Sequence, residues 1–179
     1  SRRASSGETE PGKQGITAVG GGWYVQGEDQ DYFTPLVGLG FSHRPMDFLQ
    51  VDVEAGAYLA GGEKHVIDDL QNNALQTERT NGGFARLLGS YVHSLGGIEA
   101  FGGVQASYLF AQAGYTRPNG TEEKASYSGL VAGFHGGVSY TIAGGHQMGA
   151  RIGFTPVVIE GDFEAYNTAM TDLFFRYSF

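Results

Sequence analysis

His135 and Ser139 have the side-chain types that nucleophilic catalysis requires, and they fall on one face of a predicted strand. Four residues of extended chain separate them by about 13 Å, which is too far for a direct hydrogen bond. The sequence has no cysteine, so a thiolate nucleophile and thiolate metal ligands are excluded. His43, His93 and His146 fall in predicted turns and His65 in a predicted loop, which leaves no histidine cluster for a metal. The sequence therefore predicts neither a catalytic site, nor a metal site, nor a cofactor.

A second group of residues could form ion pairs. Seven ionisable side chains, four acidic and three basic, occupy the less apolar face of predicted strands: Asp52, Glu54, Arg86, Glu99, Arg151, Asp172 and Arg176. Charges that leave water must be paired, so we expect a hydrogen-bonded ion-pair network. The alternative is a narrow gated ion path along these groups. A filled interior is usual at the strand number predicted below, which favours the structural interpretation.

Acidic residues also cluster in two predicted loops. The first loop holds Glu28, Asp29 and Asp31, and the fourth holds Glu160, Asp162 and Glu164. Carboxylates bind Mg²⁺ and Ca²⁺, so a divalent cation could bridge these loops to anionic lipopolysaccharide. Neither segment has the spacing of a calcium-binding loop, which favours the simpler interpretation that the loops only stay hydrated.

The longest predicted loop, residues 60–81, contains four apolar residues at near-helical spacing: Val66, Ile67, Leu70 and Leu75. This spacing predicts a short amphipathic helix that could dock on a partner protein. Equally, the four residues could cap the mouth of a barrel.

Alternating hydrophobicity is the main indication of the fold. Between residues 33 and 42, Phe33, Val37 and Leu39 fall on one face, and Gly38 and Gly40 on the other. A period of two is typical of β-strands, and similar stretches of roughly 9–11 residues recur about eight times. The phase of the first and fourth stretches is blurred by glycines; we place Trp23 outward and Arg86 inward.

The connections between these stretches alternate in length. Short ones lie at 43–47, 94–97 and 143–146, and long ones at 26–31, 60–81, 116–126 and 160–169. Transmembrane β-barrels have short periplasmic turns and longer extracellular loops. The sequence thus predicts an all-β protein, a closed antiparallel eight-stranded transmembrane barrel over residues 15–179. Residues 1–14 are expected to be a flexible periplasmic leader. A soluble barrel or sandwich is the alternative.

Composition excludes other classes. The net charge of −8 disfavours nucleic acid as a partner, because binding to phosphates relies on clustered Lys and Arg. No run of about 18 apolar residues is present, which excludes a helical membrane protein. The N-terminal residues lack the apolar core of a signal peptide, so an exported protein is expected to have lost it.

The final segment, MTDLFFRYSF, places Leu173, Phe175, Tyr177 and Phe179 on one face and finishes on an aromatic residue. It resembles the C-terminal assembly signal of bacterial outer-membrane β-barrels, and the layout of residues 15–179 resembles the small OmpA-type and opacity-protein group. The resemblance implies the outer membrane of a Gram-negative bacterium, with outer-membrane lipid, lipopolysaccharide and the barrel-assembly machinery as partners. The lipid A deacylases of that membrane carry a His-x-Ser element, which this sequence lacks.

The small OmpA-type and opacity-protein group includes adhesins, structural anchors, small channels and lipid-modifying enzymes. We therefore expect a non-enzymatic barrel with acidic surface loops, acting in adhesion, envelope structure or binding of a protein partner through its loops. The alternatives are a membrane-anchored subunit of a larger assembly, a lipid A-modifying enzyme and a small pore.

Overall fold

Extended chain accounts for nearly all of the computed structural model, which describes residues 13–26, 31–66, 75–116, 120–161 and 167–179. The strands are β1 (Gln14–Gln26), β2 (Asp31–Met46), β3 (Leu49–Val66), β4 (Leu75–Ser94), β5 (Ile98–Thr116), β6 (Glu122–Thr141), β7 (Gln147–Gly161) and β8 (Asn167–Ser178). Among the described residues, no helix is long and apolar enough to cross a membrane.

Each strand pairs antiparallel with its neighbours in sequence, and β8 pairs with β1 to close the barrel. At the closing seam, Ile16 lies opposite Tyr177 and Ala18 opposite Phe175. Closure gives every strand two partners and removes the free edges of an open sheet. The predicted eight-stranded antiparallel barrel is confirmed.

Three tight connections lie at one end of the barrel, which we call the turn end. They are Asp47–Phe48, residues 95–97 and a single 3-10 turn at Ala143–Gly145. Gly96, Gly97, Gly144 and Gly145 have φ between 58° and 82°, a conformation that residues with a Cβ adopt at a cost. The other end, which we call the loop end, carries the connections at 27–30, 67–74, 117–121 and 162–166.

The strands extend further towards the loop end than the sequence predicted. Residues 60–66 belong to β3 and 75–81 to β4, and Val66 pairs with Leu75. The predicted helix is therefore wrong at these two residues, while Ile67 and Leu70 lie outside the described residues. Four apolar residues at helical spacing are a weak signal beside a hairpin ladder in which each residue continues the existing pairing.

Three histidines that were predicted to lie in connections lie in strands instead. His43 lies in β2, His65 in β3 and His93 in β4, whereas His146 follows the 3-10 turn as predicted. The connections are shorter than expected because strand pairing continues beyond the apolar residues that indicated the strands in the sequence.

Candidate functional site: the barrel interior and its two ends

A ring of two carboxylates and two guanidinium groups lies inside the barrel. We call Glu54, Arg86, Arg151 and Asp172 the arginine–carboxylate ring. Glu54 and Arg86 are register partners on β3 and β4, and Arg151 and Asp172 are register partners on β7 and β8. Alternation along each strand turns all four side chains inward, where each is at least 94% buried.

The ring is closed by contacts that cross the barrel. Arg86 Nη2 lies 2.6 Å from Asp172 Oδ2, and Arg151 Nη2 lies 2.8 Å from Glu54 Oε2. Within each register pair, Arg86 Nε lies 2.5 Å from Glu54 Oε2, and Arg151 Nη2 lies 3.0 Å from Asp172 Oδ2. Each charge therefore has two opposite charges beside it, an arrangement that offsets the cost of removing all four from water.

A second charged layer lies between the ring and the turn end. Arg176 donates to Asp52 at 3.0 Å and to the side-chain oxygens of Gln50 and Gln147. Gln147 in turn donates to Glu99 at 2.6 Å. The interior thus contains all seven ionisable residues that the sequence assigned to it.

Arg44 is an eighth member that sequence analysis missed. Its two terminal nitrogens donate to the two carboxylate oxygens of Glu99, each at 2.8 Å. The sequence analysis assigned Arg44 to the short connection at 43–47, but alternation from Ser42, which is buried, would have placed Arg44 inward. With Arg44, this layered network has four acids and four bases.

An apolar layer fills the interior on the loop-end side of the ring. Buried side chains of this layer include Trp23, Leu36, Tyr58, Phe84, Leu109 and Met170. Trp23 stacks on Tyr58 with ring centroids 4.7 Å apart, and the Arg86 guanidinium lies 5.1 Å from the Phe84 centroid. Aromatic and charged layers therefore pack directly against each other across the barrel.

The outward assignment of Trp23 was wrong. The three glycines before it, residues 20–22, give no hydrophobic phase, so the sequence could not show which face of β1 it belongs to. The register with β8 does show this, because outward Ile16 fixes even-numbered residues of β1 outside and Trp23 inside.

A serine–histidine contact occurs inside the barrel, with a partner that the sequence did not suggest. Ser90 Oγ lies 2.8 Å from His135 Nε2, while Ser139 is buried elsewhere on β6. His135 Nδ1 has no hydrogen-bond partner among the described residues, so no third group orients the ring. Ser90 and His135 are 1% and 6% exposed, which keeps a substrate from the hydroxyl.

The predicted cation-binding residues are mostly outside the described part of the chain. This applies to Glu28, Asp29, Asp162 and Glu164; Asp31 begins β2, and Glu160 is exposed near the end of β7. No group of three or more His, Asp or Glu residues among those described is arranged to hold a metal ion.

The outward surface is apolar on every strand. Representative exposed residues, one from each strand in order, are Ile16, Leu39, Val53, Leu87, Val104, Phe134, Ile152 and Leu173. Aromatic residues lie at both margins: Phe48, Tyr91, Tyr140, Tyr177 and Phe179 towards the turn end, and Tyr24, Phe33, Tyr108, Phe110 and Phe154 towards the loop end. We call this surface the apolar band.

The four residues of the terminal motif belong to this band. Leu173, Phe175, Tyr177 and Phe179 all point outward, while Asp172 and Arg176 between them point inward. β8 thereby presents an apolar face outside and contributes two charges to the interior.

Comparisons with known proteins give a fold and no family. No family model matches the chain, and no curated protein matches it. Neisserial surface protein A superimposes with a TM-score of 0.56 at 12% identity, covering 93% of this chain and 97% of that chain. The attachment invasion locus protein Ail of Yersinia pestis, in complex with the heparin analogue sucrose octasulfate, gives 0.55 at 12% identity, covering 93% and 99%.

A major outer membrane protein from Thermus thermophilus gives a TM-score of 0.58 at 12% identity, covering 92% of this chain and 99% of that chain. At such identities the likeness shows the fold alone. This chain is similar to small outer-membrane β-barrels over nearly its whole length.

Proposed function

We propose that this protein is a non-enzymatic barrel of the bacterial outer membrane that acts through its loop end. The observation that carries the proposal is the apolar band around a charged interior. A barrel in water needs an apolar inside and a polar outside, whereas a barrel in lipid needs an apolar outside flanked by aromatic girdles. This chain has the second arrangement, and its fold is shared with outer-membrane proteins.

The proposed orientation places the turn end in the periplasm and the loop end outside the cell. It is supported by the shortest connections, 47–48 and 95–97, which lie at the turn end, and by the longest, 67–74, which lies at the loop end, because barrels of this class have short periplasmic turns and longer extracellular loops. In this orientation the described acidic residues Glu122 and Glu160 lie on the extracellular side.

The packed interior favours a surface role over a pore. The arginine–carboxylate ring joins opposite walls, and the apolar layer lies beside it on the loop-end side. An ion crossing the barrel would have to separate the ring and then pass aromatic side chains. The same burial opposes catalysis by Ser90 and His135. With conduction and catalysis disfavoured, a surface role at the loop end is the function that the interior favours.

Four strands form the candidate contact surface. Among the described residues, β3 pairs with β2 as far as Tyr58 and β6 pairs with β7 as far as Gly129 and Gly161, whereas the ladders among β3, β4, β5 and β6 continue beyond these points. We call residues 59–66, 75–81, 111–116 and 122–128 the outer extension. Among the described residues, its β3 edge offers backbone groups to an added strand, which is a known mode of peptide recognition.

Adhesion, envelope structure and partner binding all fit such a surface. One structural neighbour is named for attachment and invasion and was solved with a heparin analogue. The acidic loops of the present chain disfavour a polyanionic ligand of that kind, since its own net charge is −8. A protein partner, bound through the outer extension and its loops, fits the charge better.

The test is a hairpin replacement. Residues 60–81 are replaced by a short Asn-Gly turn, and the variant and wild type are extracted in mild detergent from native membranes and sized. A defined complex that contains the wild type and is lost from the folded variant supports binding through the extension. A complex retained by the folded variant contradicts it. The matched control replaces 117–121, which shortens a loop and keeps all strands.

A further inference from the structure

Two buried polar atoms in the apolar layer have no hydrogen-bond partner among the described residues. They are the indole nitrogen Nε1 of Trp23 and the hydroxyl oxygen of Tyr58. The two rings stack with centroids 4.7 Å apart, and the residues are 8% and 5% exposed. An indole N–H can only donate a hydrogen bond, and a phenol hydroxyl can donate one as well. One aromatic stack therefore holds two buried donors, and leaving such donors unpaired destabilises the folded state.

The stack belongs to a cluster of buried apolar side chains that includes Leu36, Leu109 and Val131. The thioether of Met170, a weak acceptor in the same cluster, already receives a hydrogen bond from Arg86 Nη1 at 3.3 Å. Buried water molecules typically make about three hydrogen bonds, and apolar side chains offer none. The two donors are therefore suited to an acceptor group that is carried by an apolar molecule.

The strand ladder in the wall beside the stack ends at Tyr58. Among the described residues, β2 pairs with β3 as far as Leu36 and Tyr58, although both strands continue towards the loop end. Pro35, the next residue of β2, has no N–H to donate to a ladder. Phe33 lies two residues further on and points outward at the loop-end margin of the apolar band. The unpaired part of the wall thus lies between the stack and the margin of the band, where a hydrocarbon chain could pass between β2 and β3.

We infer that Trp23 and Tyr58 bind the carboxylate of a long-chain fatty acid inside the barrel, with its hydrocarbon chain leaving between β2 and β3. A carboxylate has two oxygens for the two donors, and hydrogen bonds to an ionised acceptor are stronger than those to a neutral one. The hydrocarbon chain matches the apolar cluster and the lipid outside the wall. The inference rests on the proposed membrane location.

The experiment uses Trp23, the only tryptophan in the sequence, as the reporter. Wild type, Tyr58→Phe and Tyr108→Phe proteins are refolded into phosphatidylcholine vesicles at about pH 9, well above the ordinary pKa of a carboxyl group. Quenching of Trp23 fluorescence is followed as a fatty acid brominated close to its carboxyl end, or the methyl ester of that acid, is added. Tyr108→Phe is the matched control, because Tyr108 is an outward tyrosine at the loop-end margin of the band. A heat-dependent shift in gel mobility verifies that each protein is folded.

We expect saturable quenching of the wild type by the acid. Tyr58→Phe should raise the mole fraction of acid at half-maximal quenching about tenfold, because it loses a hydrogen bond to a charged group. Tyr108→Phe should behave as the wild type does, and the methyl ester should bind the wild type about tenfold more weakly than the acid. Equal binding of the acid by all three proteins, or quenching that does not saturate, would overturn the inference. Equal binding of acid and ester would overturn the carboxylate assignment.

Urea unfolding without the acid tests whether the Tyr58 hydroxyl is unpaired in the protein itself. Tyr58→Phe should unfold at the same urea concentration as the wild type or at a higher one, because it removes an unpaired buried hydroxyl. A lower midpoint would mean that the hydroxyl already has a partner within the protein, and would overturn the inference. In each of these cases, folding of the three proteins in vesicles would leave the proposed membrane location intact.

Discussion

Each charged side chain in the interior depends for its stability on its ion-pair partners more than on its own strand. Arg86 contacts both carboxylates of the arginine–carboxylate ring, so its removal leaves Glu54 and Asp172 sharing Arg151 alone. Breaking a buried ion pair leaves an uncompensated charge, which is the expensive part of the change.

We predict that Arg86→Met costs about 3–5 kcal/mol in the free energy of unfolding. The double variant Arg86→Met with Glu54→Gln removes one charge of each sign and should cost much less than the sum of the two single variants. Urea unfolding in lipid vesicles measures all three. Additive costs would mean that the ring does not act as a unit.

For a residue on the outward face, the cost of introducing a charge depends on where the residue lies in the apolar band. Val53 is exposed near the middle of the apolar band, whereas Ile16 lies near its turn-end margin. We predict that Val53→Arg costs about 2–4 kcal/mol in vesicles and Ile16→Arg about 0–1 kcal/mol. Similar costs at the two positions would argue against lipid around the barrel.

Residues with a clear alternating context were assigned to the correct face from the sequence. Asp52, Glu54 and Glu99 follow regular alternation and lie inside, as assigned. Trp23 follows three glycines and was placed on the wrong face, and Arg44 was missed because residues 43–47 were assigned to a short connection. The Ser90–His135 contact joins residues 45 positions apart, so it required the register of β4, β5 and β6 and no local pattern could reveal it.

Among the strands, β8 both closes the barrel by pairing with β1 and carries the terminal motif. Its outward residues Phe175, Tyr177 and Phe179 continue the apolar band across the seam with β1. His146 stacks on Tyr177 with centroids 4.4 Å apart, which ties the last turn to the end of this strand.

We predict that Phe179→Ala impairs insertion, while Phe154→Ala, an outward aromatic change at the opposite margin, does not. The reason is the resemblance of the last strand to an assembly signal, which a general loss of aromatic surface would not disturb. The measurement is the amount of folded protein in outer-membrane fractions. Normal accumulation of folded Phe179→Ala protein would contradict the signal interpretation.

The strands were predicted where one face is apolar and were missed where both faces are polar. The core of β3 alternates clearly, but its continuation through Gly61–Val66 has no such pattern and was assigned to a loop. This continuation is stabilised by pairing with β4. Because pairing depends on both strands, the hydrophobicity of one segment alone cannot predict it.

For the whole molecule, the layered interior predicts a barrel that does not conduct ions. The arginine–carboxylate ring and the apolar layer leave the described part of the interior filled from the turn-end side of the ring to the aromatic stack. Wild-type protein in a planar bilayer should give no current steps. A variant with Arg86→Ala and Trp23→Ala, which opens both layers, is the positive control. Steps from the wild type would show that the interior conducts.

The most direct test of the account asks which face of the barrel meets lipid. Trp23 is the only tryptophan in the sequence, and it lies inside the barrel. The protein is refolded into vesicles of brominated lipid, which quenches tryptophan fluorescence on contact, and compared with a Trp23→Phe, Phe134→Trp variant whose tryptophan is outward. The account predicts weak quenching of Trp23 and strong quenching of the tryptophan at position 134. Strong quenching of Trp23 with weak quenching at position 134 would contradict an apolar exterior in lipid around a charged interior.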